Sequence, residues 1–232
     1  MKADSLSVFF PVHNEESNVP FVVEKAIVVL QKLLLKEYEI ILVENGSKDK
    51  SPEVTDALAK EHPFIKTVHL PQGGYGYALR AGFSNAKYDW IVYTDADGQF
   101  DFSEVTKFLE KTDQADVIYS FKVKRSDNFF RVLAAKGWAL SLFLFFGLNI
   151  KDVDTGFKMV SKKVLEKIPP LESTIGGMIN AELVIKAQKA GFKIAQVAVH
   201  HYPRLAGSPT GVKPKVIIKS YLDLFKLWWK IR

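Results

Sequence analysis

Asp95-Ala96-Asp97-Gly98-Gln99 sets two acids one residue apart and follows them with a glycine and an amide. Carboxylate and amide oxygens are hard ligands of the kind Mg²⁺ or Mn²⁺ takes, and those ions commonly bridge to phosphates. The preceding Trp90-Ile91-Val92-Tyr93-Thr94 is β-prone and mostly apolar, as a buried strand is. The acids would then emerge at the carboxyl edge of a sheet, where open α/β folds hold their ligands. Asp and Gly are also ordinary turn residues, so this stretch needs support from the rest of the chain.

Two further stretches could meet phosphate. Gln72-Gly73-Gly74-Tyr75-Gly76 precedes a helical pattern, and glycines before a helix permit close backbone approach to an anion. Lys122, Lys124, Arg125 and Arg131 form a basic cluster interleaved with Phe129 and Phe130. His200 and His201 are adjacent but lack a helix-spaced or cysteine partner, so they read as loop or strand-end residues rather than metal ligands. His201 remains within reach of a phosphate-binding role.

The elements that must carry these groups alternate. Leu6–Val12, Tyr38–Glu44, Ile65–His69 and Asp116–Ser120 read as strands, and Phe192–Val199 as a final one. Helices are expected from the loop after His13 through Leu35, from Ser51 to Glu61, after the glycine turn, after Ser103-Glu104, and from Ile179 to Lys189. Repeated β-turn-α steps imply a mostly parallel sheet with right-handed crossovers. Asp152–Lys158 reads as a polar turn leading into Met159-Val160, and 200–211 as a polar, glycine-rich loop.

Residues 138–148 are apolar nearly all round yet too short to span a bilayer, which leaves a core helix or a membrane-surface one, with core favoured. The tail, 213–232, is a basic amphipathic helix. Its apolar Ile217, Ile218, Tyr221, Leu222, Phe225, Trp228 and Trp229 contrast with Lys219, Lys226 and Lys230. Such a helix suits a headgroup region, or docks on its own domain with a solvated basic face. The organisation expected is one α/β domain over residues 1–212 and this C-terminal helix over 213–232.

Composition sets the outer limits. The chain has 232 residues, 47% hydrophobic, with net charge +6 and no cysteine. Disulfides and thiolate metal sites are excluded. No cleavable signal pattern precedes the first strand, so the expected location is cytoplasmic, peripherally associated with the cytosolic face of a membrane. A basic balance suits nucleic acid, anionic lipid or phosphorylated substrates. No helix-turn-helix, zinc-finger or aromatic RNA-binding signature occurs, so no nucleic-acid partner is expected.

Taken together, several motifs resemble family 2 glycosyltransferases of the GT-A fold. They are Phe10-Pro11-Val12-His13-Asn14-Glu15-Glu16, Val43-Glu44-Asn45-Gly46-Ser47-Lys48-Asp49, the Gly73-Gly74-Tyr75-Gly76 turn with Arg80 and Gly82, and Asp95-Ala96-Asp97-Gly98-Gln99. The second half narrows the resemblance. Lys122 through Arg131, Asp154-Thr155-Gly156-Phe157 and the His-Tyr-Pro-Arg stretch ending at Arg204 are similar to the dolichyl-phosphate mannosyltransferase and polyprenyl-phosphate glycosyltransferase branch. The resemblance spans roughly residues 5 to 230.

It implies a single GT-A (Rossmann-like) domain, a GDP- or UDP-linked sugar donor, and Mg²⁺ or Mn²⁺. Pro11, Val12, Asn14, Glu15, Glu44, Gly46, Ser47, Gly73, Gly76, Arg80, Asp95, Ala96 and Arg204 would then bind the nucleotide-sugar. Asp95, Asp97 and Gln99 would hold the metal, and Lys122, Arg125 and Arg131 the acceptor phosphate. Asp95, Asp97 and Arg131 would act in catalysis. The family more often carries Asp-Asp-Gly-Ser where this chain has Glu44-Asn45-Gly46-Ser47, and some members carry Arg where Lys122 stands. The first departure bears on which base is read, and the second replaces a planar fork by a point charge.

Residue chemistry favours one acceptor. A sugar hydroxyl needs a carboxylate base to become a nucleophile. A lipid monophosphate is already anionic, with a second pKa of about 6, and needs only positioning and countercharge. A basic cluster just before an apolar segment suits the second, so the expected activity is inverting sugar transfer to a polyprenyl or dolichyl phosphate. The alternatives are a same-fold enzyme acting on a sugar hydroxyl, with Asp101 or Glu104 as base, and a non-enzymatic basic membrane-binding module.

Overall fold

The computed structural model describes residues 3–123, 129–174, 176–204 and 214–231, and side chains there except at 129–134 and 214–217. Strands run Ser5–Val12 (β1), Glu37–Asn45 (β2), Ile65–Leu70 (β3), Trp90–Tyr93 (β4), Val117–Lys122 (β5), Lys158–Ser161 (β6) and Ile194–Val199 (β7). The helices are Val19–Lys32 (α1), Ser51–Glu61 (α2), Tyr75–Asn85 (α3), Val105–Leu109 (α4), Phe129–Phe146 (α5), Lys162–Lys167 (α6), Gly176–Lys189 (α7) and Pro214–Ile231 (α8).

The strands form one sheet in the order β3-β2-β1-β4-β6-β5-β7. All neighbouring pairs are parallel except those made by β6, which runs antiparallel to both β4 and β5. This is the α/β architecture expected, with a mostly parallel sheet and a C-terminal helix. Val8, Phe9, Ile40, Ile41, Leu42, Ile91 and Val92 are fully buried. Strands covered on both faces need continuous apolar runs rather than alternation, and β1, β2 and β4 are such runs.

Strand order reverses at β1, which has β2 on one side and β4 on the other. Crossovers leaving in opposite directions open a crevice at the carboxyl ends of the two strands. The turn after Val12 and the acids after Tyr93 therefore share one edge. Phe9 and Tyr93 sit in register there, with rings stacked 5.0 Å apart.

Several elements differ from the sequence reading: α5 and α7 begin earlier, at Phe129 and Gly176, helix α6 is an addition, and α1 and β6 differ for physical reasons. Helix α1 stops at Lys32, short of Leu35, because Leu33 turns extended and Leu34 finds no core, being 94% exposed. Strand β6 is absent from that reading. It has four residues and begins with Lys158, which gives neither alternation nor an apolar run.

Helix α7 is buried along most of its length and carries an ion pair inside. Lys186 Nζ lies 2.6 Å from Glu182 Oε1, with the two side chains 5% and 2% exposed. Removing one member of such a pair leaves a charge uncompensated. Lys186→Met should destabilise the chain by about 3 kcal/mol in urea unfolding. A loss under about 1 kcal/mol would mean that the pair is not buried in solution.

Candidate active site

Three strand-end turns meet at the crevice. Gly46 has φ +64°, and a Cβ there would lie 2.9 Å from the Gly73 nitrogen, so the β2 turn and the glycine turn touch backbone to backbone. His13 Nδ1 donates to the Asn45 carbonyl at 2.8 Å, and His13 Nε2 accepts from Asn14 Nδ2 at 3.1 Å. Asn14 holds a left-handed φ of 54°, and its amide donates to Ser47 Oγ at 3.0 Å. Pro11, Val12, Asn14, Glu15, Glu44, Gly46, Ser47 and Gly73 are thus gathered on adjoining turns.

Glu44 is buried at the end of β2. Its Oε1 accepts the Ser47 amide at 2.6 Å, closing the turn, and its Oε2 faces His69 Nδ1 at 3.4 Å. His69 in turn bonds Asp56 at 2.9 Å, and this hydrogen bond is the main cause raising the imidazole pKa.

The acids after β4 form the centre. Asp97 is 6% exposed; its Oδ1 accepts the Gln99 amide at 3.0 Å, and its Oδ2 accepts from Arg204 Nη2 at 2.9 Å. Arg204 Nη1 donates to Glu15 Oε1 at 2.5 Å. One guanidinium, 189 residues from Glu15 and 107 from Asp97 in sequence, therefore joins the β1 turn to the β4 turn. Gln99 assists: its Nε2 donates to the Tyr202 carbonyl at 3.0 Å, and its own carbonyl accepts the Tyr202 amide at 2.8 Å. The 200–204 segment is thereby laid along the acidic turn.

Asp95 is half-buried, and its carboxylate is approached from two sides. Its Oδ1 accepts from Tyr75 Oη at 3.1 Å, and its Oδ2 faces Gly156 so closely that a Cβ there would lie 2.1 Å away. Burial, and then the neighbouring Asp97, push the Asp95 carboxyl up to about 6, against the pull of Tyr75, Lys158 and Lys122. Lys158 is buried under the site with Nζ bonded to the Thr155 carbonyl and 5.7 and 5.1 Å from the Tyr93 and Tyr119 rings. Burial pushes its pKa down to about 8, partly offset by Asp154, Asp95 and Asp152.

Two adjacent carboxylates whose charge is only part-compensated by protein form a site suited to a cation. Among the described residues no group of three or more His, Asp or Glu stands together as a cage. The pair fits Mg²⁺ or Mn²⁺ all the same, since these ions are often held by one or two carboxylates plus substrate phosphates.

Residues 7–169 match the sequence pattern of glycosyl transferase family 2. The chain belongs to this family. Among curated relatives, a dolichyl-phosphate beta-glucosyltransferase of Trichomonas vaginalis is 29% identical over 98% of this chain and 76% of its own length. An undecaprenyl-phosphate 4-deoxy-4-formamido-L-arabinose transferase of Pectobacterium atrosepticum is 36% identical over 57% of this chain, which spans 41% of that protein. Among solved structures, glucosyl-3-phosphoglycerate synthase from Mycobacterium tuberculosis superposes with TM-score 0.74 at 20% identity, covering 96% of this chain and 79% of that one. That structure holds Mn²⁺, uridine diphosphate and glucosyl-3-phosphoglycerate. At this identity the likeness establishes the shared fold, and the chain is a family 2 glycosyltransferase by its sequence.

Within this family 2 domain the other expected site residues fall in different places. Gly76 and Ala96 are buried at the turns they were read from. Arg80 donates to the Leu171 and Glu172 carbonyls at 3.3 and 3.4 Å, tying α3 to the 171–174 segment. Lys122 ends β5, close enough for its charge to act on Asp95. Arg125 and the Arg131 side chain lie outside the described residues. The sequence reading did not single out Tyr75 or Lys158. Tyr75 sits among glycines with no pattern of its own, whereas a lysine inside Phe157-Lys158-Met159-Val160 was a detectable anomaly.

Proposed function

We propose that this chain is an inverting glycosyltransferase that moves one sugar from a nucleoside-diphosphate sugar to a polyprenyl or dolichyl phosphate at the cytosolic face of a membrane. The acceptor reading rests on one observation above others: the apolar surface made by α5 and α8. The two helices touch through Trp138 against Tyr221 at 5.2 Å and Phe145 against Trp228 at 5.6 Å. On α8 the inward face is Ser220, Leu224 and Leu227, while Ile218, Leu222, Phe225 and Trp229 point outward, 51–72% exposed. On α5, Leu140, Phe143 and Leu144 are more than half exposed. Contiguous apolar surface with lysines beside it is the chemistry of a bilayer-facing patch. No helix among the described residues is long and apolar enough to cross a membrane. The names of the relatives above, both lipid-phosphate sugar transferases, support the same acceptor.

In this reading Asp95 and Asp97 hold a divalent cation, which when bound supplies Lewis-acid stabilisation to the departing diphosphate. Arg204 is placed to exchange its carboxylate partners for phosphate oxygen, a charge-assisted bond of the same kind. Glu15, Asn14 and the Glu44 turn line the nucleoside side. The acceptor phosphate oxygen bonds the anomeric carbon as the bond to the nucleotide breaks, and the electron pair leaves with the diphosphate. A single displacement of this kind inverts the anomeric centre. The acceptor arrives ionised, so positioning and countercharge from Lys122 and Arg131 suffice.

The sugar-hydroxyl alternative needs a free base. Asp101 is engaged in capping, accepting the Ser103 amide at 2.9 Å. Glu104 is buried and accepts from the His200 amide at 2.8 Å, its ring at 2.9 Å, and Lys107. Both acids named for that role have structural work. The deciding experiment supplies labelled UDP- and GDP-sugars with undecaprenyl phosphate, dolichyl phosphate or free sugars, with Mn²⁺. Label carried into the lipid phosphate supports the proposal, and label carried only into free sugar refutes it.

The membrane contact has its own expected result. Phe225→Ser combined with Trp229→Ser should lower binding to anionic-lipid vesicles at least tenfold, given about 1.5–3 kcal/mol per buried aromatic side chain. Melting should stay unchanged, because both side chains are more than half exposed. Retained vesicle binding would remove α8 from the interface.

The cation has a pH signature. Asp95, with its pKa raised to about 6, binds a proton more tightly folded than unfolded. In the cation-free chain its contribution to stability is present at low pH and is lost as pH rises through that value. A divalent cation takes only the carboxylate form, so its effect runs the other way. The Mn²⁺-induced rise in Tm should be full near about pH 7.5 and largely gone near about pH 5. Equal shifts at both would place the ion elsewhere.

A further inference from the structure

Tyr75 is the first residue of α3 and belongs to the glycine turn, yet its hydroxyl reaches across the crevice to Asp95 Oδ1 at 3.1 Å. Gly156 closes the opposite side of the same carboxylate, since a Cβ there would lie 2.1 Å from Oδ2 and 2.6 Å from Cγ. Asp95 is thus held between a fixed donor and bare backbone. Its orientation is set from outside its own turn.

The tyrosine is itself fixed by neighbours. A Cβ on Gly176, at the start of α7, would be 3.5 Å from the Tyr75 ring, ordinary packing distance. The next residue, Gly76, donates its amide to the Thr174 carbonyl at 3.2 Å, and a Cβ there would stand 2.3 Å from the Ser173 carbonyl. The 171–174 segment is in turn anchored on α7, where buried Glu182 accepts the Glu172 and Ser173 amides at 2.9 and 2.8 Å. Tyr77, two residues on, does something different: its ring stacks under Arg80 at 4.9 Å.

We propose that Tyr75 is a positioning residue of this glycosyltransferase, orienting the Asp95 carboxylate toward the divalent cation and donor diphosphate. The inference rests on the reading of Asp95 as a cation ligand. A carboxylate able to rotate must be ordered when the ion arrives, and a hydrogen bond from a packed phenol removes that freedom beforehand. Tyr75→Phe keeps the ring on Gly176 and deletes only the donor.

The test titrates Mn²⁺ into the full chain with saturating UDP, and in a parallel arm GDP, reading free Mn²⁺ by its paramagnetic resonance signal. Tyr75→Phe should raise the Mn²⁺ dissociation constant about tenfold, the size expected for a hydrogen bond to a charged group. In turnover it should lower kcat by a similar factor and leave KM for the polyprenyl phosphate within about twofold. Tyr77→Phe should leave Mn²⁺ affinity at the wild-type value. Unchanged Mn²⁺ affinity in Tyr75→Phe overturns the inference, as does equal loss in both tyrosine variants, which would mark a general loosening of α3. Asp95→Asn separates the two levels. If it abolishes Mn²⁺ binding while Tyr75→Phe leaves the affinity unchanged, only the positioning role fails; if Asp95→Asn binds Mn²⁺ normally, the cation reading falls and takes Tyr75 with it.

Discussion

Asp97→Ala should lower turnover by roughly two to three orders of magnitude, and excess Mg²⁺ or Mn²⁺ should not restore it. The size follows from the several kcal/mol that a cation contributes against developing negative charge, at about 1.4 kcal/mol per decade. Asp97 is 6% exposed and bonds the Gln99 amide and Arg204, so the substitution removes a proposed cation ligand and also releases the Nη2 arm of the guanidinium, leaving Nη1 on Glu15. Asp97→Asn separates these effects. Asparagine keeps the shape and an acceptor oxygen for Arg204 but loses the charge. If charge at the cation is what matters, asparagine should be nearly as inactive as alanine. Asparagine with wild-type turnover would remove Asp97 from the cation site.

Gly156→Ala should be almost as damaging although it replaces no charged group. The added methyl would stand 2.1 Å from Asp95 Oδ2, 2.6 Å from Cγ and 2.9 Å from Oδ1. No flexible tail absorbs such an overlap, because the whole carboxylate must swing away or the 154–157 backbone must retreat. A displacement of about 1 Å at a reacting centre costs on the order of a hundredfold in rate. Overpacking adds about 1–3 kcal/mol of lost stability. The expected pattern is a folded protein, melting several degrees lower, with turnover down about a hundredfold and Mn²⁺ affinity reduced in parallel. Near-normal turnover would mean that Asp95 does not need the orientation Gly156 allows.

Gly156, Gly76 and Gly46 are among the glycines that do this kind of work, each where a Cβ would collide with a neighbour. Gly156 leaves space for Asp95, Gly76 for the 173–174 backbone, and Gly46 for the glycine turn at a left-handed φ. Of these three, Gly46 and Gly76 are read from sequence as site residues, together with Gly73. Gly156 belonged to a family motif without a stated role, because nothing in Asp154-Thr155-Gly156-Phe157 says which side chain will lie against it.

What the sequence by itself determined is local in origin. Apolar runs of strand length, helices with apolar residues three and four apart, and glycine or Asn-Gly turns between them fix the order of elements almost everywhere. The position of the acids after a buried strand fixes the edge of the sheet on which they emerge. A short code of that kind depends only on residues within a turn or two of each other, so it survives without knowledge of the fold.

The tertiary structure decided what depends on distant pairing. Strand β6 enters antiparallel between β4 and β5, and its register with them brings Lys158 beneath Asp95. Arg204 meets Glu15 and Asp97 only because the 200–204 segment is laid on the acidic turn through Gln99 and Tyr202. The amphipathic tail carried two equally good readings, docked or lipid-facing. The structure realises a docked face through Leu224 and Leu227 and turns the stripe of Ile218, Leu222, Phe225 and Trp229 outward. Periodicity states that a helix has an apolar side, but hydrophobic burial has no direction of its own. Which neighbour covers that side is settled only when the whole chain is packed.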